Sequence, residues 1–370
     1  MKSVSIVGGG LAGLITALQL VRAGIAVHLF EKKKYPFHRV CGEYISLETE
    51  GFLKSLRIYP DRFNPPIIKR LQLTSVNGKS AILPLDTGGF GISRYSFDYF
   101  LFERAKAEGV SVYDDCEVEA IHFEDNQFTL KTALKKFNAD VVIGSFGKRS
   151  KLDVQLERSF IKKRSPYLGV KYHIQTDHEH DLIALHNFSG GYCGISNIEE
   201  DKSNLCYLTH NDNLKEHQSI KEMEDHVLFR NPFLKSIFKN ATFLFEKPET
   251  INEISFETKN PVEDHILMAG DAAGMITPLC GNGMAMAIRA SKIVSELVIR
   301  FCKDSSYQRL QLETDYARAW SNQFAQRLWT GRQIQRLFGS EWESNIAVNL
   351  ALHVKPVANF LISKTHGDPF

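Results

Sequence analysis

Hydrophobic residues recur along this chain with two periods, and the switches between them mark out its elements. Val4 to Val7 is a short β-branched run, then comes a glycine-rich turn, and then Leu11, Leu14, Ile15, Leu18 and Val21 at helical spacing. Gly24 stops that helix, and IAVHLFE supplies a second strand ending in Glu31. Between 61 and 88, LQLTSVNGKSAILPL alternates on both sides of Asn77-Gly78, which predicts a β-hairpin with a type I′ turn. Four further strand-like runs lie between 156 and 261: YLGVKYHIQ, DLIALHNF, YCGISNI and NLCYLTH. The charged interlude KEHQSIKEMEDHVLFRNP predicts helix with a solvated face. Near the far end, an apolar strand at 266 to 269 runs into Gly270-Asp271, a loop through Pro278, Gly281-Asn282-Gly283 and a helix. Small residues at Ala285, Ala287, Ala290 and Ser291 predict a close neighbour along that helix. Residues 301 to 370 read as helical and hold all three tryptophans, Trp320, Trp329 and Trp342. There Phe324, Leu328 and Trp329 predict an amphipathic helix packed on the core rather than on a membrane.

Composition narrows the class. In 370 residues, 43% hydrophobic and 24% charged, there is ample core for two or three interleaved domains. A net charge of +2 draws the chain to neither nucleic acid nor anionic lipid. The six cysteines (Cys41, Cys116, Cys193, Cys206, Cys280, Cys302) show no C-x-x-C pair, so free thiols in a reducing compartment are expected and no metal site. The first residues enter a strand at once and no apolar run reaches membrane-spanning length, so a cytoplasmic protein is expected.

Gly8, Gly10 and Gly13 fit G-x-G-x-x-G between strand and helix. Gly8 permits the tight turn, Gly10 lets backbone approach a pyrophosphate, and Gly13 lets helix and strand pack closely. The helix N-terminus offers N–H donors to phosphate. Glu31 suits a ribose 2′-OH and repels a 2′-phosphate, so FAD or NAD is expected rather than NADP. Lys32, Lys33 and Lys34 read as a solvated loop, with Lys32 next to the cofactor.

An N-terminal Rossmann unit completed far downstream by Gly270-Asp271 resembles the flavoproteins of the p-hydroxybenzoate hydroxylase type. YPFHRVCGEYIS (35–46) and GISRYSFDYFLFERAKAEGV (91–110) are similar to segments of geranylgeranyl reductases, with Pro36, Cys41, Gly42, Arg94 and Asp98 in matching places. The resemblance implies FAD, with Asp271 on the ribitol and Arg94 near the phosphates or ribose. The helix after Gly283 would point its N-terminus at the pyrimidine end of the flavin, where the reduced ring carries negative charge. Leu11, Ala12, Arg39, Cys41, Gly42, Val118, Gly147, Pro278, Gly281, Asn282 and Met284 would line the same cofactor. The implied fold is α/β: a Rossmann-like FAD-binding domain (1–60, 89–155 and 262–300), an inserted antiparallel β-sheet substrate domain (61–88 and 156–261) and C-terminal helices (301–370).

Two departures from that pattern matter. Phe146 stands where the family carries aspartate, which puts hydroxylase-style reduction by NADPH in doubt. In GGYCGISN, Tyr192 is kept, but Gly194 and Asn197 replace the tryptophan and proline that line the lipid pocket. The first reading is a reductase or dehydrogenase acting on carbon–carbon bonds of a hydrophobic polyprenyl, polyketide or polyene. The alternatives are a monooxygenase of an aromatic or polyene, and a non-catalytic flavin-binding protein. A halogenase is rejected, because its W-x-W-x-I-P stretch has no counterpart and no tryptophan precedes Trp320. Cys41 and Tyr192 are the candidate catalytic residues, with Glu43 a further proton donor. His38 and Arg39 are expected at the phosphates or in solvent, and His173, His186 and His210 as satisfied hydrogen-bond partners. No second glycine fingerprint appears, so electrons would come from transient NAD(P)H, another protein or the substrate itself.

Overall fold

The computed structural model describes residues 2–163, 165–252, 254–277, 281–335, 341–354 and 367–370. The chain opens with β1 (Ser3–Val7), α1 (Leu11–Arg22) and β2 (Ala26–Phe30). Next come β3 (Tyr44–Ser46), α2 (Glu50–Ser55) and a hairpin, β4 (Ile67–Thr74) and β5 (Ser80–Gly91). Helix α3 (Arg94–Ala107) leads to β6 (Ser111–Tyr113) and to a meander, β7 (Val118–Glu124), β8 (Gln127–Thr132) and β9 (Lys136–Ala139). After β10 (Val141–Gly144) and α4 (Lys151–Gln155), four long strands follow: β11 (Tyr167–Gln175), β12 (Leu182–Phe188), β13 (Gly191–Asn197) and β14 (Ser203–His210). Three short helices, α5 (Asn211–Lys215), α6 (Ile220–His226) and α7 (Pro232–Asn240), precede β15 (Thr242–Phe243), β16 (Glu249–Asn252), β17 (Val262–Glu263) and β18 (Ile266–Met268). Helices α8 (Gly283–Lys303), α9 (Arg309–Gln335) and α10 (Glu341–His353) close the chain.

The first sheet runs β17-β18-β10-β1-β2-β6 and is parallel apart from the β17–β18 pair. Helices cover both faces at its centre, so all four residues of β10 and four of the five in β1, Ser5 included, are buried. Helix α8 lies on α1, where Gln19 Nε2 reaches the Ser291 carbonyl at 3.3 Å. This close approach is what the small residues of α8 permit.

The second sheet has nine strands, in the order β15-β11-β14-β13-β12-β4-β5-β3 with β16 also on β11. It is antiparallel except where β12 pairs with β4 in parallel. The hairpin β4–β5 forms, but its turn is not type I′. Gly78 has φ +85° while Asn77 keeps a negative φ, and the Gly78 N–H returns to the Ser75 carbonyl at 3.0 Å. The loop is therefore one residue longer, closing on a left-handed glycine, the usual three-residue solution.

Two helical expectations need correction. In α9, Trp320, Phe324 and Leu328 share one face and are buried, but Trp329 lies one residue round the helix and is 59% exposed. The interlude 215–232 is not simply solvated either. Met223 and Glu224 of α6 turn inward onto the back of the second sheet, where Glu224 Oε1 accepts from Tyr172 Oη (3.0 Å) and Tyr207 Oη (2.8 Å). Among the described residues no helix is long and apolar enough to cross a membrane.

Burial pushes the Glu224 carboxyl up to about 7, from an ordinary 4.5, even though both tyrosine hydroxyls favour the charged form. The folded protein therefore holds a proton that the unfolded chain has released above pH 4.5. The stability this proton contributes, at most about 3 kcal/mol, is complete below that pH and gone once the pH rises through about 7. Chemical denaturation at about pH 5 and about pH 8 should show a larger loss for the wild type than for Glu224→Gln. Parallel losses would refute the assignment.

Candidate active site

The glycine turn, the end of β2 and the start of α3 build one wall. Gly8 adopts φ +111°, and a Cβ there would overlap the Ser145 backbone. Glu31 is buried at the end of β2, where its Oε2 accepts from Gly9 N at 3.0 Å. Tyr35 Oη donates to the Gly9 carbonyl, so the turn is gripped from both sides. Arg39 bridges Glu31 (2.9 Å) and Asp98 (3.1 Å), and Arg94 holds Asp98 through two nitrogens at 2.7 Å each. The Arg94 guanidinium also stands over the turn, 3.4 Å from where a Cβ on Gly10 would be. The first-turn N–H groups of α1 and this guanidinium together could hold an anion, with the Glu31 carboxylate alongside.

Glu43 sits at the junction with the second sheet. It is fully buried, with φ 54°. Its Oε1 accepts from Arg94 N (2.7 Å) and Lys171 Nζ (2.5 Å), and its Oε2 pairs with His173 Nε2 at 2.7 Å. Lys171 Nζ donates onward to the Arg39 carbonyl at 3.1 Å. Burial alone would raise the Glu43 pKa, but the ammonium and imidazole beside it pull it down to about 2. A carboxylate held ionised in this way has no proton to give, which corrects the expectation of Glu43 as a donor.

Three histidines, His173, His186 and His210, are hydrogen-bonded as expected. His38 is half-buried and lines the cavity. It stacks on Tyr95 at 4.6 Å, faces His173 at 5.1 Å, and is kept neutral by burial and by Lys171, with its pKa near 4. His186 bonds Thr74 Oγ1 (2.9 Å) and His210 bonds Asp212 (2.9 Å). Cys41 is half-buried with its thiol against Arg94, and Asn204 Nδ2 holds its carbonyl at 3.1 Å. Tyr192 is buried on β13 among Leu71, Leu185 and Leu208.

The opposite wall comes from the far end of the chain. Gly270 turns left-handed (φ 62°) and Asp271 follows in a short 3₁₀ turn, its carbonyl held by Lys259 Nζ at 2.8 Å. The same ammonium holds the Lys148 carbonyl at 2.8 Å, and burial lowers its pKa to about 8. Gly281, Gly283 and Met284 bring the N-terminus of α8 to the cavity.

These walls enclose one cavity of about 780 Å³. Gly8, Gly10, Leu11, Ala12, Glu31, Lys32, Arg39, Cys41, Gly42, Arg94, Val118, Gly147, Asp271, Gly281, Gly283 and Met284 all line it, as does Tyr192. Two expected residues do not. Gly13 is packed beneath the turn, where a Cβ would strike the Gly8 carbonyl, and Asn282 is buried as the N-cap residue of α8. Pro278 and Cys280 lie outside the described residues. Lys171, Cys206, Lys148 and the α10 residues Ala347, Leu350 and Ala351 were not foreseen at the site. Lys171 carried one signal, a lone cation in the apolar strand YLGVKYHIQ.

The residues present fit FAD. A Cβ on Gly42 or Gly147 would meet nothing within 4 Å, so backbone is exposed to the cavity where a ring or phosphate would approach. Glu31, Arg94 and Asp271 are the polar groups on the cavity walls that could anchor the cofactor. Residues 1–319 match the family model described as the FAD binding domain, so the chain belongs to this family of FAD-dependent oxidoreductases. It is 23% identical to conditioned medium factor receptor 1 of Dictyostelium discoideum, over 96% of this chain and 71% of that protein. It is also 23% identical to digeranylgeranylglycerophospholipid reductase 2 of Methanopyrus kandleri, over 90% of this chain and 86% of that protein. Among solved structures it matches a geranylgeranyl bacteriochlorophyll reductase-like protein from Thermoplasma acidophilum, with TM-score 0.79, 17% identity, and all of this chain on 96% of that one. A halogenase solved with phloroglucinol and FAD matches at TM-score 0.76 and 17% identity, over 98% of this chain and 82% of that one.

Two substitutions test this geometry. Glu43→Gln should destabilise by about 3–5 kcal/mol in urea, because Lys171 is left buried without its counter-charge, and adding Lys171→Met should restore part of the loss. A single variant as stable as the wild type would refute the buried pair. Asp271→Ala should purify with much less FAD, while the apo-protein's stability moves by under about 0.5 kcal/mol. Full flavin content in that variant would remove Asp271 from the cofactor.

Proposed function

We propose that this oxidoreductase reduces or desaturates carbon–carbon bonds of a hydrophobic polyprenyl, polyketide or polyene substrate. The observation that carries this reading is the continuity of the cavity. It runs from the glycine turn, with its arginines and carboxylates, into a chamber between the second sheet and α10. Leu71, Leu73, Leu83, Leu185, Leu208 and Ile254 line that chamber, and Val348 and Ala351 pack on it. Such a space suits an apolar chain and gives no ion pair to a charged one.

On this reading the six-stranded sheet with α1, α3 and α8 is the cofactor half, and the nine-stranded sheet is the substrate half. Bound FAD would supply hydride transfer at N5. The chain's own residues bind and orient: Glu31 takes the ribose, Arg94 and the α1 N-terminus the pyrophosphate, and Asp271 the ribitol. The Glu43 cluster fixes the loop that carries Cys41 and Gly42. A reduction also needs a proton, for which the Cys41 thiol at the polar end and Tyr192 in the apolar chamber are the candidates. The electron donor on this reading is NAD(P)H docking transiently, or a partner protein, in the cytoplasm. The second reading, an oxygen-dependent monooxygenase, is favoured by the fold shared with the phloroglucinol-bound halogenase.

One experiment separates the two. The holoenzyme is reduced chemically under anaerobic conditions and mixed with a geranylgeranyl-bearing lipid. The reductase reading expects the flavin to reoxidise without oxygen and the product to gain two hydrogens. Cys41→Ala or Tyr192→Phe should keep FAD but slow that step if the residue delivers the proton. Reoxidation only on admitting oxygen, with an oxygen atom in the product, would establish the monooxygenase instead.

A further inference from the structure

On the side of the second sheet away from the cavity, α5 and α6 bring two imidazoles and a carboxylate together at the surface. His217 lies in the turn after α5, Glu222 in the first turn of α6, and His226 is its last residue. Glu222 and His226 are four residues apart and so share a helix face. The ligand atoms of all three residues lie within 4.8 Å of one another, and the imidazole rings stack at 5.4 Å with 24° between their planes.

His226 and Glu222 are each oriented by a bond that leaves a donor atom to spare. His226 Nδ1 stands 2.9 Å from the Glu222 carbonyl, so it carries the proton and leaves Nε2 with its lone pair. That is the support a metal-bound histidine ordinarily has. Glu222 Oε2 accepts from Gln218 N at 2.7 Å, leaving Oε1. Ser219 caps the helix by accepting from Glu222 N at 3.1 Å, and fully buried Met223 pins α6 to the core behind it. His217 approaches from a separate segment, so the three groups would chelate rather than bind in a row.

We propose that His217, Glu222 and His226 form a binding site for a divalent transition metal of the zinc(II) class. Two imidazole nitrogens and one carboxylate oxygen suit zinc rather than calcium or magnesium, which take oxygen ligands. Zinc bonds of about 2.0–2.1 Å require the three atoms to close by roughly an ångström, within reach of half-exposed side chains. Water completes the coordination. The site joins the α5 turn to α6 on the outside, as Met223 does on the inside, and it is independent of the flavin cavity and its substrate.

The test uses the FAD-loaded protein after treatment with a chelator. Zinc(II) is titrated in competition with a chromophoric chelator, and cobalt(II) is added separately to read the visible absorption of a four-coordinate site. One tight zinc equivalent per chain is expected, unaffected by excess magnesium. His217→Ala and His226→Ala should each weaken it at least about tenfold and abolish the cobalt spectrum, and Glu222→Gln should weaken it as well, all with FAD content unchanged. Zinc affinity equal in wild type and variants would overturn the site, because the binding would then belong to other histidines. So would the absence of any tight equivalent in the wild type.

Discussion

Most of the cavity depends on a single buried anion. Glu43 accepts from three directions at once: the first backbone N–H of α3, the Lys171 ammonium and the His173 imidazole of β11. Removing either charge of such a pair exposes the other to an interior that cannot solvate it. This also accounts for a non-glycine residue at φ 54°, where the backbone pays for the placement of the side chain. The carboxylate belongs to the loop before β3, the ammonium and imidazole to the second sheet, and the N–H to a helix of the first. Three elements that each supply a piece of the cavity are thereby fixed at one point.

The same logic governs α3. Its N-terminus is held by two carboxylates, Glu43 at Arg94 N and Glu199 at Ser93 N (2.8 Å), with Ser93 Oγ bonded to Glu199 as well. Negative charge at a helix N-terminus is favourable. Here it also sets the rotation of the helix, so Arg94 faces the glycine turn with Asp98 one turn behind it. Arg39 then ties Asp98 to Glu31. The Arg94 guanidinium is thus placed by a chain of charges that links both sheets, with Asp98 between it and Arg39.

What was legible in the sequence was local. Period-two runs located β11 to β14, and strand–glycines–helix–acid located the glycine turn and Glu31, because each signal is complete within a few tens of residues. Contacts across the chain were not legible. Glu43 and Lys171 are 128 residues apart, and nothing in either neighbourhood names the other. The parallel pairing of β12 with β4 likewise has no local mark. The glycine pattern identifies positions that need a missing side chain without saying which side is crowded: Gly10 faces the cavity, whereas Gly13 is small because the Gly8 carbonyl lies against it. For Trp329, apolar character suggested core, but one residue of helical rotation sets its exposure. Burial of Glu224 was hidden for the same reason, since its partners are hydroxyls on distant strands.

The division of the cavity follows from the alternation of one sheet face. On β11, Gly169, Lys171 and His173 point to the same side, and on β14 Asn204, Cys206 and Leu208 do. The two strands run antiparallel, with Lys171 opposite Cys206. Polar side chains therefore gather where these strands pass the Cys41 loop, and leucines where β12, β4 and β5 carry the face on toward α10. Burial pushes the Cys206 thiol up to about 12, so it stays neutral beside Lys171. The charges at the polar end are matched within the protein, Glu43 with Lys171 and Asp98 with Arg94. The leucine-lined wall therefore carries no unpaired ion from this cluster, and what it offers to a molecule in the cavity is shape and apolar surface.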